Sequence, residues 1–301
     1  MDAPTILIAE NPHAGSQDGS QLIQRLVDCL KSCGMSVIRE QDPERIRCQI
    51  QGDVSDEYKK SRIACVVCAG GDGTVGMVAN WLDSSTPIAV LPLGTENLFA
   101  RQLGFDGNIE NLCSRIAEAD TFSIDAGIAN GKLFFVVASV GFDAEVVRLL
   151  AARRTGHIRH ATWIQPILQA LRSYHFPEIR VTTNNQRHPI HTRWAFVLNL
   201  PQYALGLQFV SEGDVTDGRL DVCCFRGGRW WNGLRYLTGV IMGWHRTWRD
   251  THVEQATHVV IDSDAAVPYQ LDGDPGGELP LEISVVPGRL TVIGHSPSQS
   301  K

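Results

Sequence analysis

The sequence predicts an α/β nucleotide-binding domain with a parallel sheet, followed by a mostly antiparallel β-sandwich domain. Three observations carry this expectation. Short apolar runs alternate with helical stretches as far as about residue 120. Two of these runs end in glycine turns, Gly70-Gly71-Asp72-Gly73-Thr74 and Pro92-Leu93-Gly94-Thr95-Glu96-Asn97. Beyond that point the apolar runs are joined mostly by turn-like segments.

The elements follow in order. Residues 5–9 read as a short strand, closed by the turn Asn11-Pro12-His13-Ala14-Gly15. Leu22, Ile23, Leu26, Val27 and Leu30 form a helical stripe over 21–33. Residues 36–39 and 63–68 are the next strands, and a helix runs from the first glycine turn to about Trp81. Residues 88–91 are a fourth strand, followed by the second glycine turn and another helix. The second part has strands at 123–129, 132–140, 178–183, 193–199, 220–225, 258–262, 281–286 and 290–293. Helical stretches interrupt it at roughly 145–174 and 230–248. The expected domains are 1–121 and 122–286, with the tail 287–301 packed back on the first.

Composition narrows the function. A net charge of -6 argues against a general nucleic-acid binder, which would carry a basic surface. No apolar run has the length of a membrane span, and the N-terminus lacks the features of a signal peptide. A cytoplasmic location is expected. The eight cysteines are scattered; Cys65 and Cys68 form a CxxC inside a strand and read as buried thiols.

The first glycine turn is the strongest chemical signal. Three glycines within four residues let backbone N–H groups approach a bulky anion, and the helix that follows adds positive potential there. Thr74 is a candidate to open that helix. The lysine of the common P-loop is missing, and Asp72 sits in the loop instead. A carboxylate beside phosphates needs a cation between, which points to ATP with Mg²⁺. Asn11 and Gly15 could meet the same nucleotide, and Thr95 is a candidate N-cap at the second turn.

Asn11 to Gly15, Gly70 to Thr74, and Pro92 to Asn97 followed by Phe99-Ala100-Arg101 together resemble the diacylglycerol kinase catalytic superfamily. Asp214-Val215-Thr216-Asp217-Gly218-Arg219-Leu220 and the late Asp272-Gly273-Asp274 extend the resemblance over almost the whole chain. It implies an ATP-dependent lipid kinase with diacylglycerol or a related lipid alcohol as acceptor, and ATP in a cleft between the domains. It implies nucleotide contacts at Asn11, Gly15, Gly70, Gly71, Asp72, Gly73, Thr74, Gly94, Thr95 and Asn97. Asp72 and Asp125 would organise Mg²⁺, partly through water. Asp214, Asp217 and the Arg219 carbonyl would hold a structural Mg²⁺ or Ca²⁺. Asp272 would accept the lipid hydroxyl proton, with Asp274 where the family usually has glutamate. Leu98 stands where the family often has a polar residue, commonly aspartate.

Two rival functions share parts of this pattern. An NAD kinase carries a similar Gly-Gly-Asp-Gly-Thr, and a nucleotide- or lipid-binding module could have lost turnover at Leu98 and Asp274. The aromatic and basic stretch 229–249 suits either a bilayer surface or a core-packed helix. A second basic stretch, Arg148 with 153–160, is a cationic segment or a solvated face. Transient peripheral membrane association and a homodimer complete the expectations.

Overall fold

The computed structural model describes residues 3–12, 18–52, 63–153, 160–203, 207–210 and 213–295. The chain divides into two compact units, residues 1–124 with 288–301, and residues 125–287.

The first unit is an α/β layer structure. Its elements are β1 (Thr5–Glu10), α1 (Asp18–Ser32), β2 (Ser36–Glu40), α2 (Pro43–Gln51), β3 (Ile63–Gly70), α3 (Asp72–Trp81), β4 (Ile88–Pro92), α4 (Leu98–Gln102) and α5 (Ile109–Glu118). The strands pair in parallel in the order β2-β1-β3-β4, and Val292 pairs in parallel with Ile88 beyond β4. β1 is buried along its whole length, as a central parallel strand must be. α1 covers the sheet with Ile23, Leu26, Val27 and Leu30, the stripe the periodicity marks.

Two helices of this unit escape the periodicity reading, although their caps are written in the sequence. Asp42 caps α2, accepting from the Glu44 and Arg45 amides, with Pro43 at the first helical position. Asn108 caps α5 through the Asn111 amide. The N-cap of α3 is Gly71, not a residue near Thr74, and that of α4 is Asn97, not Thr95. Cys65 and Cys68 are buried in β3; burial pushes the Cys65 thiol up to about 12. All eight cysteines are free.

The chain passes between the units within β5 (Thr121–Ala129). The second unit continues with β6 (Lys132–Phe134), β7 (Val137–Val140), α6 (Phe142–Ala151), α7 (Ile164–Ser173), β8 (Ile179–Thr183), β9 (Ile190–Thr192), β10 (Trp194–Leu198), β11 (Gln202–Tyr203), β12 (Leu207–Gln208), β13 (Leu220–Phe225) and α8 (Trp230–Ile241). It ends with β14 (Thr251–Ala256), β15 (His258–Asp262), β16 (Pro268–Leu271), β17 (Asp274–Glu278) and β18 (Leu281–Ile293), whose last residues belong to the first unit.

Two antiparallel sheets form its sandwich. One runs β14-β13-β10-β7-β16-β17. The other joins the first part of β18 to β15, β8 and β9. Inward residues of both, such as Val197 and Leu271 facing Val181 and Ile261, share one buried core. The strand expected over 132–140 is two strands, because the amides between them turn aside to a carboxylate described below. The helical stretch expected over 145–174 is α6 and α7, and the strand pair 281–286 and 290–293 is one strand.

Candidate functional site

In the first unit β1 lies between β2 and β3, so the chain reverses direction across the sheet at the carboxyl ends of β1 and β3. Open α/β sheets bind ligands at such a reversal. Asn11 follows β1, and its Nδ2 donates to Thr74 Oγ1 at 3.1 Å, while its backbone N–H donates to the Ala69 carbonyl at 3.1 Å. Gly70 has no room for a side chain, since a Cβ there would lie 2.3 Å from Thr74 Oγ1.

The two glycine turns touch backbone to backbone. A Cβ on Gly94 would stand 2.5 Å from the Gly71 Cα and 2.7 Å from Asn97 Oδ1. Leu93 N–H donates to the Gly70 carbonyl at 2.9 Å, which ties the turns together. Asn97 sits in the left-handed region at φ 48° and closes its own turn, accepting from Gly94 N–H and donating to Gly94 C=O, both at 2.9 Å. Gly73 is different: a Cβ there would meet nothing within 4 Å. Thr95 is exposed at the second turn. Gly15 lies outside the described residues.

Asp72 does something the sequence reading did not foresee. Its Oδ2 accepts from Leu98 N–H at 3.0 Å and its Oδ1 from Phe99 N–H at 2.9 Å, so it caps α4 from the first turn of α3. Burial pushes its carboxyl above the ordinary value, opposed by those two amides, and the Glu96 charge adds to the rise. Leu98 is buried at 9% exposure. Leu98→Asp, the change toward the family's common residue, would bury a second carboxylate close to Asp72. We expect it to cost about 3 kcal/mol, read as a lowered urea midpoint, and not to raise activity.

In the second unit Asp272 and Gly273 form the two-residue turn of the β16–β17 hairpin, at φ 50° and 89°. The Asp272 carboxylate accepts three backbone donors: Phe135 N–H at 2.7 Å, and Val136 and Val137 N–H at 2.9 Å each. These bonds interrupt the 132–140 strand. They use three of the carboxylate's roughly four lone-pair positions and leave one for a substrate proton. Asp274 pairs with Leu271 across the turn and is exposed.

Asn199 connects this turn to Asp125. Its Nδ2 donates to the Asp125 and Phe135 carbonyls, each at 3.0 Å. Asp125 is buried, and its Oδ2 accepts from Gly218 N–H at 2.7 Å. Asp125, the 214–219 turn and Asp272 therefore form one constellation.

Gln270 braces the other side of the hairpin. Its Oε1 accepts from Gly273 N–H at 2.7 Å, and its Nε2 donates to Ser139 Oγ at 2.8 Å. Ser139 in turn donates to Asp143, whose carboxyl burial pushes up. Asn199 and Gln270 carry no sequence signal, because each matters only through partners more than sixty residues away.

The structural-metal residues are engaged by their own turn. Asp214 Oδ1 accepts from Thr216 N–H at 2.9 Å and from its hydroxyl at 2.6 Å. Asp217 accepts from Arg219 N–H at 2.9 Å and Gln255 Nε2 at 3.1 Å. Among the described residues no three His, Cys, Asp or Glu side chains gather as a metal ligand set. The residues thus do not fit a ready-made structural cation site. Nucleotide Mg²⁺ makes a smaller demand, since it is held by one or two carboxylates together with phosphates and water, and Asp72 fits that role through water.

Asp221 reports on this turn. Burial pushes its carboxyl up to about 6, and the Asp217 charge adds to the rise. The folded chain then holds a proton that the unfolded chain releases, so stability is lost as pH rises from near 4 through about 6. Asp221→Asn should match the native chain at low pH. At pH above about 7 it should be the more stable by on the order of 1 kcal/mol, after allowance for partial solvent exposure. Urea titrations at several pH values check this.

Comparison with known proteins follows this division. Residues 5–129 match the diacylglycerol kinase catalytic domain model, and residues 136–294 match the YegS C-terminal NAD kinase beta sandwich-like domain. The chain belongs to the diacylglycerol kinase and YegS-like lipid kinase family. Its relatives in that family are distant. A Mycobacterium tuberculosis protein named diacylglycerol kinase is 28% identical over 76% of each chain. A Pseudomonas aeruginosa protein named "Probable lipid kinase YegS-like" is 25% identical over 100% of this chain and 97% of that one. An uncharacterized Synechocystis relative is 24% identical, and there the match spans 54% of the relative's length. The family fold recurs in a diacylglycerol kinase structure from Bacillus anthracis (TM-score 0.71, 20% identity, 98% of this chain and 97% of that one). It also resembles an NAD kinase from Archaeoglobus fulgidus solved with ATP (TM-score 0.52, 12% identity, 97% and 93% of the chains).

Proposed function

We propose that the chain is an ATP-dependent lipid kinase that transfers the γ-phosphate to the hydroxyl of a lipid alcohol such as diacylglycerol. The observation that carries this reading is the meeting of Asn11, Thr74 and the Gly71–Gly94 contact at the chain reversal beside β1 and β3. Two turns without side chains leave backbone amides and the N-terminus of α3 to receive phosphate. Asn11 and Thr74 orient the nucleotide at the same edge. Mg²⁺ on the phosphates would supply charge neutralisation, with Asp72 held in place by the α4 amides as a partner through water.

Asp272 is the proposed proton acceptor. Phosphoryl transfer asks mainly for positioning, and the three amides fix this carboxylate in one orientation. The same amides stabilise its charged form, so it takes the proton late, as the phosphorus–oxygen bond forms. Asn199 and Gln270 are positioning residues for it. The acceptor would be met at a membrane surface by a cytoplasmic, transiently bound enzyme. Among the described residues no helix is long and apolar enough to cross a membrane.

Purified protein with Mg²⁺ and labelled ATP, offered diacylglycerol, other lipid alcohols and NAD in parallel, tests the proposal. A phosphorylated lipid that disappears with Asp272→Asn is the expected result. Protein that binds ATP but phosphorylates no lipid would overturn it, and NADP formation would assign the chain to the NAD kinase reading instead.

A further inference from the structure

Helix α8 is apolar on two faces, and the second unit covers only one. Tyr236 and Val240 face inward at 1% and 4% exposure. Gly233 and Gly239 let the helix rest on Trp194 and Trp248, since a Cβ at either would stand 2.9 Å or 2.3 Å from the indole ring. The seating of the helix is therefore fixed by packing. Its other face presents Leu234, Leu237 and Ile241 at 65%, 44% and 63% exposure. At 100° per residue these three form one stripe. Trp231, Met242 and Trp244, at 45%, 52% and 56%, extend it at both ends. So many large apolar side chains in one patch mark a binding surface, where scattered single ones would not.

The charges around the stripe have one sign. Residues 226–249 hold five arginines, at 226, 229, 235, 246 and 249, and no aspartate or glutamate, in a chain of net charge -6. Asp250 pairs with Arg235 at 2.6 Å and accepts from Tyr236, so the nearest acid is occupied within its own cluster. Arg226, Arg229, Arg246 and Arg249 are exposed, and the Arg229 guanidinium lies 4.9 Å over the Trp231 ring. Tryptophans flanking an aliphatic stripe, with arginines at the rim, match the boundary between acyl chains and anionic headgroups.

A second copy of the chain fits less well. A two-fold interface would set this patch against itself and bring the arginine rims together without acids to separate them. We infer that the outer face of α8 is the surface by which the protein docks on anionic lipid bilayers. The inference deepens the lipid-kinase reading and rests on it for its biological use. The docking itself is measurable independently.

The test is flotation of the full chain with phosphatidylcholine vesicles, with and without phosphatidylglycerol. The native chain should float with anionic vesicles. The double variant Leu234→Ser/Ile241→Ser should lose about tenfold in partitioning, through reduced apolar burial. Arg246→Glu/Arg249→Glu should lose about tenfold or more on anionic vesicles and little on neutral ones. Equal flotation of native and variant chains, or no flotation of the native chain, would overturn the inference. So would conversion of a dimer to a monomer by the serine variant with flotation unchanged, which would assign the face to a second copy. Turnover of detergent-dispersed diacylglycerol separates the two readings. Its absence in a native chain that floats normally would sink the kinase proposal while the docking stood.

Discussion

Replacing Gly94 by alanine should destabilise the first unit by about 3 kcal/mol and abolish nucleotide binding. The added Cβ would stand 2.5 Å from the Gly71 Cα and 2.7 Å from Asn97 Oδ1. One of these atoms is backbone, and the other belongs to a side chain already held by two bonds to Gly94. Neither can move without separating the two turns. Gly73→Ala is the matched control, because its Cβ meets nothing within 4 Å and it lies inside α3. That change should stabilise the fold by about 0.5–1 kcal/mol through backbone entropy. If phosphate occupies the space before the first turn of α3, the same methyl should weaken ATP binding. Urea unfolding and ATP titration of both variants decide the matter. Gly94→Ala with native stability would refute the backbone contact, and Gly73→Ala with undiminished ATP affinity would move the phosphate away from this turn.

Asp272→Asn should lower phosphotransfer at least a hundredfold, within the usual range for loss of a positioned proton acceptor, while ATP binding persists. Asparagine tolerates the left-handed conformation that residue 272 adopts at φ 50°, so the hairpin turn should survive. Asp272→Ala should behave differently. It would strand the amides of Phe135, Val136 and Val137, which belong to buried residues, at about 1–3 kcal/mol for each one left unsatisfied. A role confined to structure would leave kcat with asparagine near native. A proton-acceptor role predicts a collapse of kcat with little change in the KM for ATP. Comparing the two variants in the kinase assay and in thermal unfolding separates these.

Much of this was legible in the chain itself. Parallel order in the first unit followed from apolar runs separated by helical stripes, and the strand ends at Asn11, Gly70 and Gly94 followed from glycine and asparagine chemistry. α2 and α5 were legible too, through Asp42-Pro43 and Asn108, since capping signals are local. β17 was not. Asp274-Pro275-Gly276-Gly277-Glu278 has no strand preference, and only pairing with β16 makes it a strand.

The sequence by itself determined the element order and which residue types could receive phosphate or accept a proton. The tertiary structure decided what those residues touch. It made Asp72 a cap for α4, made Asp272 the acceptor of three amides from the 135–137 segment, and brought Asn199 and Gln270 to the hairpin. It also left the stripe of α8 uncovered. The reason is the range of the interactions: caps and turns are set by neighbours within a few residues, whereas these bonds join segments 26 to 137 residues apart, and no local pattern records them.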